Sequence, residues 1–285
     1  MNSLARDPNL RVYDSAEVAE HYAGLAYLTP CEQHMFESHV RVGSRVLEIG
    51  VGGGRVSGYL LQRASSYTGV DYAPKMVEAC RQKHPAADFR VTDASDLSAF
   101  SDGSFDNVVM AFNTIDYLVP DLARARCLTE VRRVLKPSGV LILSSHNPRA
   151  VLLAPAWNRE RLRSMAARLG GGRPFTRKLV YGGLTGARAI LAVAQSLVNS
   201  ARRAVQRLPS RTFWRGQGYL LDAVHGGLRT HYWVPAQCIA ELASHGFRVL
   251  EVRGDVRSGR EHPLFTDWYY YAFATPFTRE TNSCA

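Results

Sequence analysis

The sequence predicts an α/β fold: an open, mostly parallel sheet with helices on both faces. Three observations carry that expectation. Residues 45–71, RVLEIGVGGGRVSGYLLQRASSYTGVD, run as strand, glycine turn, helix, strand and terminal carboxylate. Two later apolar runs, FDNVVMAF at 105–112 and VLILSS at 140–145, flank a helical stretch at about 122–135, the strand–helix–strand order of a parallel sheet. Residues 247–252 and 267–275 then supply two more strands.

Taken in order, residues 11–40 carry helical patterning with Tyr13, His21, Tyr22 and Tyr27 among small residues, and Thr29-Pro30 ahead of Glu32 marks a helix start. Val46, Leu47 and Ile49 form the short apolar run that a doubly covered parallel strand needs. Gly50, Gly52, Gly53 and Gly54 follow at once, and a turn this rich in glycine lets backbone approach a ligand. A helix is expected from near Gly54 to about Arg63, with its N-terminal amides facing whatever sits on the turn. The next strand covers 66–70 and ends on Asp71, the position from which a glycine-turn fold grips ribose hydroxyls. Pro74 suits the first turn of the following helix, and a third strand at 89–91 ends near Asp93-Ala94. Residues 235–245 read as a helix closed by Gly246.

The glycine spacing separates two occupants of such a turn. A dinucleotide wants G-x-G-x-x-G, but counting from Gly50 the third position is Arg55, and from Gly52 it is Ser57. The pattern E-x-G-x-G-x-G is met in full by Glu48, Gly50, Gly52 and Gly54, and here the stretch resembles motif I of class I S-adenosylmethionine-dependent methyltransferases. RVLKPSGVLILSSHN, ahead of the fifth strand, resembles a second signature of that family, and GFRVLEV with DWYYYAFATP is similar to its terminal antiparallel pair. The resemblance covers about residues 11–146 and 231–276 and implies a Rossmann-like, seven-stranded, mostly parallel sheet. It implies S-adenosylmethionine as cofactor, held by Glu48, Gly50, Gly52, Gly54, Asp71 and Tyr72. It further implies Met76 packed on adenine, Asp93 with Ala94 at the adenine amine, and Tyr22 and Asn113 at the methionine end.

The acceptor side is read from strand ends. Asn113 to Asp116 follow the fourth strand and His146-Asn147 the fifth, on the crevice side where ligands of open α/β sheets bind. A neutral histidine takes up a proton near pH 7, which makes His146 the preferred base, His231 the second, and Asp116 the third catalytic candidate. Asn147, Asp222 and His225 are expected to touch the acceptor. Sulfonium methyl transfer chiefly needs alignment of donor and acceptor, so a dedicated base is optional.

At 285 residues and 46% hydrophobic content the chain suits one large domain with an insertion. The expected division is an N-terminal helical cover (1–40), a cofactor-binding core (41–149 and 231–285) and a basic helical cap at 150–230, between the fifth and sixth strands. The formal charge of +10 is concentrated there: residues 149–216 hold 14 lysines and arginines and one acid, Glu160. A helix is expected at 187–208, with Ile190, Leu197, Val198 and Val205 on one face and Arg188, Asn199 and Arg202 opposite. That pattern fits a cap over the site, an anionic acceptor or an anionic membrane surface. Five scattered cysteines have neither zinc nor disulfide-framework spacing, and no metal site is expected. With no apolar signal core in MNSLARDPNL, the expected setting is the cytoplasm.

The function expected from the sequence is methyl transfer to an oxygen or nitrogen of a small molecule: a metabolite, natural product, sugar or lipid-linked acceptor. Asn113-Thr114-Ile115-Asp116 lacks the Pro-Pro-aromatic run of nucleobase amino-methyltransferases, and the basic segment lacks a stacking platform, so nucleic acid is not the expected partner. The alternatives are a protein that binds the cofactor without turnover and, less favoured by the glycine spacing, a nucleotide-cofactor oxidoreductase.

Overall fold

The computed structural model describes residues 8–147, 182–183, 186–187, 190, 217–222, 228–256 and 266–276. Of the expected helical cap at 150–230, the described residues are five helical positions, Ile190 among them, and the strand residues 217–222 and 228–230, so its end is a pair of strands and not helix; the rest of the cap, most of the helix expected at 187–208 and His225 lie outside the described residues.

Three helices lead in: α1 (Pro8–Tyr13), α2 (Ala16–Ala23) and α3 (Pro30–His39). The start of α3 closes as the sequence expects. Glu32 N donates to Thr29 Oγ1 at 3.1 Å, Thr29 N donates to Glu32 Oε2 at 2.9 Å, and Pro30 occupies the first turn, where its missing N–H costs nothing. The core then alternates as β1 (Ser44–Ile49), α4 (Ser57–Arg63), β2 (Ala64–Asp71), α5 (Pro74–Lys83), β3 (Asp88–Val91), β4 (Phe105–Met110), α6 (Asp121–Val134) and β5 (Leu135–His146). After the insertion come a hairpin, β6 (Gln217–Asp222) and β7 (Leu228–Trp233), helix α7 (Pro235–Ser244), and strands β8 (Arg248–Val256) and β9 (Thr266–Ala274).

The sheet has seven strands in the order β3-β2-β1-β4-β5-β9-β8, with β1 to β5 parallel and β9 antiparallel to both its neighbours. The order reverses between β1 and β4, which opens a crevice at their carboxyl ends. Because helices cover both faces, the central strands are apolar on both. Leu47, Val108 and Leu141 pack with Leu128 and Val131 of α6, while Val46, Val109 and Ile142 pack with Met35 and Phe36 of α3 and Leu60 of α4. Full burial of each such side chain stabilises by about 1.5–3 kcal/mol. The four described cysteines, Cys31, Cys80, Cys127 and Cys238, are buried and free.

The β6–β7 hairpin forms a separate two-stranded sheet over the carboxyl ends of β4 and β5. Arg124 of α6 is its anchor. Only 1% exposed, its guanidinium donates to Asp121, to Glu241 of α7 and to the Tyr219 hydroxyl of β6, and it lies 5.2 Å from the centre of the Trp233 ring. A buried charge is tolerated only when its donors are satisfied in this way.

Candidate functional site

The crevice holds a cavity of about 480 Å³, and the glycine turn forms its floor. Gly50 (φ 73°), Gly52 (φ 52°) and Gly54 (φ 73°) take left-handed backbone that side chains resist. Space adds a second constraint at two positions. A Cβ on Gly50 would lie 2.3 Å from Thr114, and one on Gly53 would lie 2.2 Å from the Tyr22 carbonyl carbon. The end of α2 therefore rests directly on the turn. Lys83 fixes that contact, its Nζ donating to the carbonyls of Ala23, Leu25 and Gly53 at 3.1, 2.7 and 3.3 Å. The turn extends through Val56, so α4 starts at Ser57 and not at Gly54.

Asp71 ends β2 with its carboxylate facing the cavity. Gly52 N donates to Oδ2 at 3.0 Å and Ala73 N to Oδ1 at 2.9 Å, which leaves each oxygen a lone pair for a ligand hydroxyl. Burial pushes its pKa up to about 6, against the pull of the Ala73, Gly52 and Tyr72 amides. Glu48 is buried more deeply, with Oε2 accepting from the Tyr67 hydroxyl at 2.6 Å and from Ser57 Oγ at 2.9 Å. Burial raises its pKa to about 7.

Tyr22, Glu48, Gly50, Gly52, Asp71, Tyr72, Met76, Asp93 and Ala94 all border the cavity. Met76, Val70 and Ala94 offer flat apolar contact beside the Asp93 carboxylate, whose Oδ1 accepts from Ser95 N at 2.8 Å. A buried carboxylate with spare lone pairs, an apolar slot and a glycine floor together fit an adenosyl group. Gly54 shapes the turn from behind, where a Cβ would meet Cys80 Sγ at 3.3 Å.

The expected acceptor residues sit elsewhere. Phe112 (φ 53°) and Asn113 (φ 64°) are both left-handed, and this reversal puts Phe112, Thr114 and Tyr117 on the wall while Asn113 turns inward. Asn113 is buried, with its N–H on Ser144 Oγ at 2.8 Å and Nδ2 at 3.3 Å from His146 Nε2. The His146 ring is bonded on its other side to Asp116, Nδ1 to Oδ2 at 2.8 Å, and the His146 N–H and the Ser145 hydroxyl complete that carboxylate. Asp116 is fully buried within the one-turn 3-10 helix Thr114–Tyr117, and burial raises its pKa against the hydrogen bonds that lower it. His146 thus stands behind Tyr117, whose ring meets it edge-on at 6.0 Å, and does not border the cavity. His231 is 1% exposed between Tyr219 and Trp233, and burial, with Arg124 close by, lowers its pKa well below the histidine norm. Asn147 is tied to β9, its Nδ2 donating to Thr266 O at 2.7 Å, and Asp222 is described only as a backbone partner of Leu228.

Three more residues complete the wall: Tyr13, one of the leader rings named from the sequence, and Arg55 and Arg229, to which the sequence assigned no role. Arg55 is paired with Glu32 and stacks on Phe112, 4.6 Å from the ring centre. Tyr13 touches Tyr22, Tyr72 and Tyr117. Arg229 reaches the cavity from β7. Arg55 was visible only as a misplaced residue in a dinucleotide pattern, and no local signal marks Arg229.

Residues 47–143 match the family described as a methyltransferase domain. A ubiquinone biosynthesis O-methyltransferase of Xanthomonas campestris is 35% identical over 118 residues, 39% of this chain and 48% of that protein. A fatty-acid O-methyltransferase of Mycolicibacterium smegmatis is 37% identical over 121 residues, 41% of this chain and 42% of its own. The matches thus span about half the length of these relatives. Among solved structures, a methyltransferase from Methanosarcina mazei superposes with a TM-score of 0.57 at 18% identity, covering 88% of this chain and 99% of that one. The 1,6-didemethyltoxoflavin-N1-methyltransferase of Burkholderia thailandensis also gives 0.57, at 12% identity and 97% and 92% coverage. The fold, the motif I turn and the family match agree: the chain carries a methyltransferase domain of the class I, S-adenosylmethionine-dependent kind.

Proposed function

We propose that this protein transfers a methyl group from S-adenosylmethionine to an oxygen of a small-molecule acceptor. One observation carries the reading: a single cavity joins the Asp71 carboxylate and glycine floor to the carboxyl end of β4, so a cofactor and an acceptor share one enclosure. The cofactor, when bound, supplies a sulfonium-activated methyl group and a neutral leaving group. This chain's residues supply position. Asp71 accepts from the ribose hydroxyls, Met76 and Ala94 line the adenine slot, and Tyr13, Tyr22 and Tyr117 keep water from the reacting end. His146 and Asp116 act through the turn they hold, presenting Tyr117 to the cavity. The O-methyltransferase names of both relatives favour oxygen over nitrogen as the atom methylated. The same reading gives the basic segment 149–216 a peripheral contact with anionic membrane surface.

Calorimetric titration with S-adenosylhomocysteine tests the cofactor half. The wild-type chain is expected to bind it and to prefer it to a nicotinamide dinucleotide. Asp71→Ala removes acceptors worth about 1.5–3 kcal/mol each when charge-assisted, so affinity should fall at least ten-fold. Unchanged affinity would refute the assignment of Asp71.

A further inference from the structure

Among the described residues, Arg229 is the partly buried cation of the cavity that no carboxylate neutralises. The Arg55 guanidinium is taken by Glu32, and Arg126 stands exposed on α6. Arg229 has no carboxylate partner among the described residues. Its Nε is shut away from water without an acceptor, and its guanidinium rests over the Tyr219 ring, 4.9 Å from the centre. Its backbone is clamped on both sides by one buried side chain: Asn9 Oδ1 accepts from Arg229 N at 2.9 Å, and Asn9 Nδ2 donates to Arg229 O at 2.9 Å. The hairpin that carries it packs on the Thr114–Tyr117 turn. A partly buried guanidinium on a backbone anchored in this way, beside a wall of Leu118, Val119 and Pro120, is suited to receive an anion attached to an apolar body.

Among the described residues, the same cavity offers no carboxylate or histidine as proton acceptor on the acceptor side. Its carboxylates Glu48, Asp71 and Asp93 belong to the cofactor side, and among the described residues no histidine borders it. Burial, with Tyr117 and other ring hydroxyls around it, raises the Tyr13 pKa well above the phenol norm. An acceptor that arrives already ionised needs no base.

We infer that the acceptor is an apolar organic acid, held through its ionised oxygen by Arg229 and methylated on that carboxylate. The balance is simple. A carboxylate lone pair forms the O–C bond while the C–S bond breaks with its pair remaining on sulfur, so an anion and a sulfonium become a neutral ester and a neutral thioether and no proton moves. Arg229 sets the orientation of the anion, and its hold weakens once the charge is gone, which favours release of the ester.

This inference rests on the methyltransferase reading, and the test separates the two. The full chain, saturated with S-adenosylhomocysteine, is titrated calorimetrically with decanoate and decan-1-ol, and with 1-naphthoate and 1-naphthalenemethanol. At least one carboxylate is expected to bind ten-fold or more tightly than its matched alcohol. Arg229→Gln should lower that affinity at least ten-fold while leaving S-adenosylhomocysteine binding in place, and Arg229→Lys should recover part of it. Alcohols binding as well as acids, neither acid binding, or an unaffected R229Q would overturn the inference with the methyltransferase reading intact. Absence of S-adenosylhomocysteine binding to the wild-type chain would remove both.

Discussion

Glu48 shows how a buried carboxyl supports the glycine turn that floors the cavity. Its carboxyl sits under the glycine turn, with Tyr67 and Ser57 donating to one oxygen, and burial lifts its pKa from 4.5 to about 7. A carboxyl whose folded pKa lies above its unfolded value takes up a proton on folding. Its contribution to stability is therefore present below about 4.5 and is lost as pH rises through 7. Asp71 adds in the same direction, between 3.8 and about 6. A ten-fold change in a group's proton affinity on folding is worth roughly 1.4 kcal/mol, so the two carboxyls tilt the pH profile measurably. Urea unfolding of the ligand-free chain is expected to show stability falling from pH 5 to pH 8, and Glu48→Gln, which keeps an oxygen for Tyr67 and Ser57, should flatten that slope. A Glu48→Gln profile parallel to wild type would mean that Glu48 does not titrate in this window.

Among the elements, the Thr114–Tyr117 turn decides what faces the acceptor. Asp116 points into the core, where His146, Ser145 and the His146 amide hold it, and Tyr117 points out. Removing one partner of a buried hydrogen-bonded group costs about 1–3 kcal/mol, which is roughly 2–4 °C in Tm per kcal/mol for a domain of this size. His146→Ala is thus expected to melt lower and to raise KM by loosening Tyr117, while the pH profile of kcat keeps its wild-type shape. Loss of an ionisation between pH 6 and 8 in that variant would restore His146 as a base. The limits of the sequence lie at this element. Local chemistry was legible: the Thr29–Glu32 cap, the glycine turn, Asp71 and the strand order all follow from patterns within a few dozen residues. Strand-end position placed Asn113 and His146 correctly in the chain, but the facing of a side chain there depends on two left-handed residues, Phe112 and Asn113, that no pattern announces. Arg229 depends on a hairpin joined to α1 by Asn9, a contact spanning 220 residues, and its facing exists only once the chain has folded.

The whole molecule is divided by charge. Residues 149–216 carry 14 basic side chains and one acid, whereas the remainder, which includes the entire described sheet, has 21 basic against 24 acidic residues. Such segregation gives the chain a strongly positive stretch of sequence between β5 and β6. Basic residues near an anionic leaflet contribute about 1 kcal/mol each, so four of the fourteen in contact would raise partitioning by roughly 10³-fold. The attraction is screened, since the Debye length shrinks from about 10 Å at 0.1 M salt to about 3 Å at 1 M. The full chain is accordingly expected to co-sediment with vesicles containing phosphatidylserine at 0.05 M salt, to stay in the supernatant when the vesicles are phosphatidylcholine alone, and to be released from the former at 0.5 M salt. A salt-resistant bound fraction would mark an apolar contribution added to the charge attraction. Equal, negligible sedimentation with both vesicle types would confine the positive segment to steering a dissolved anion towards the cavity.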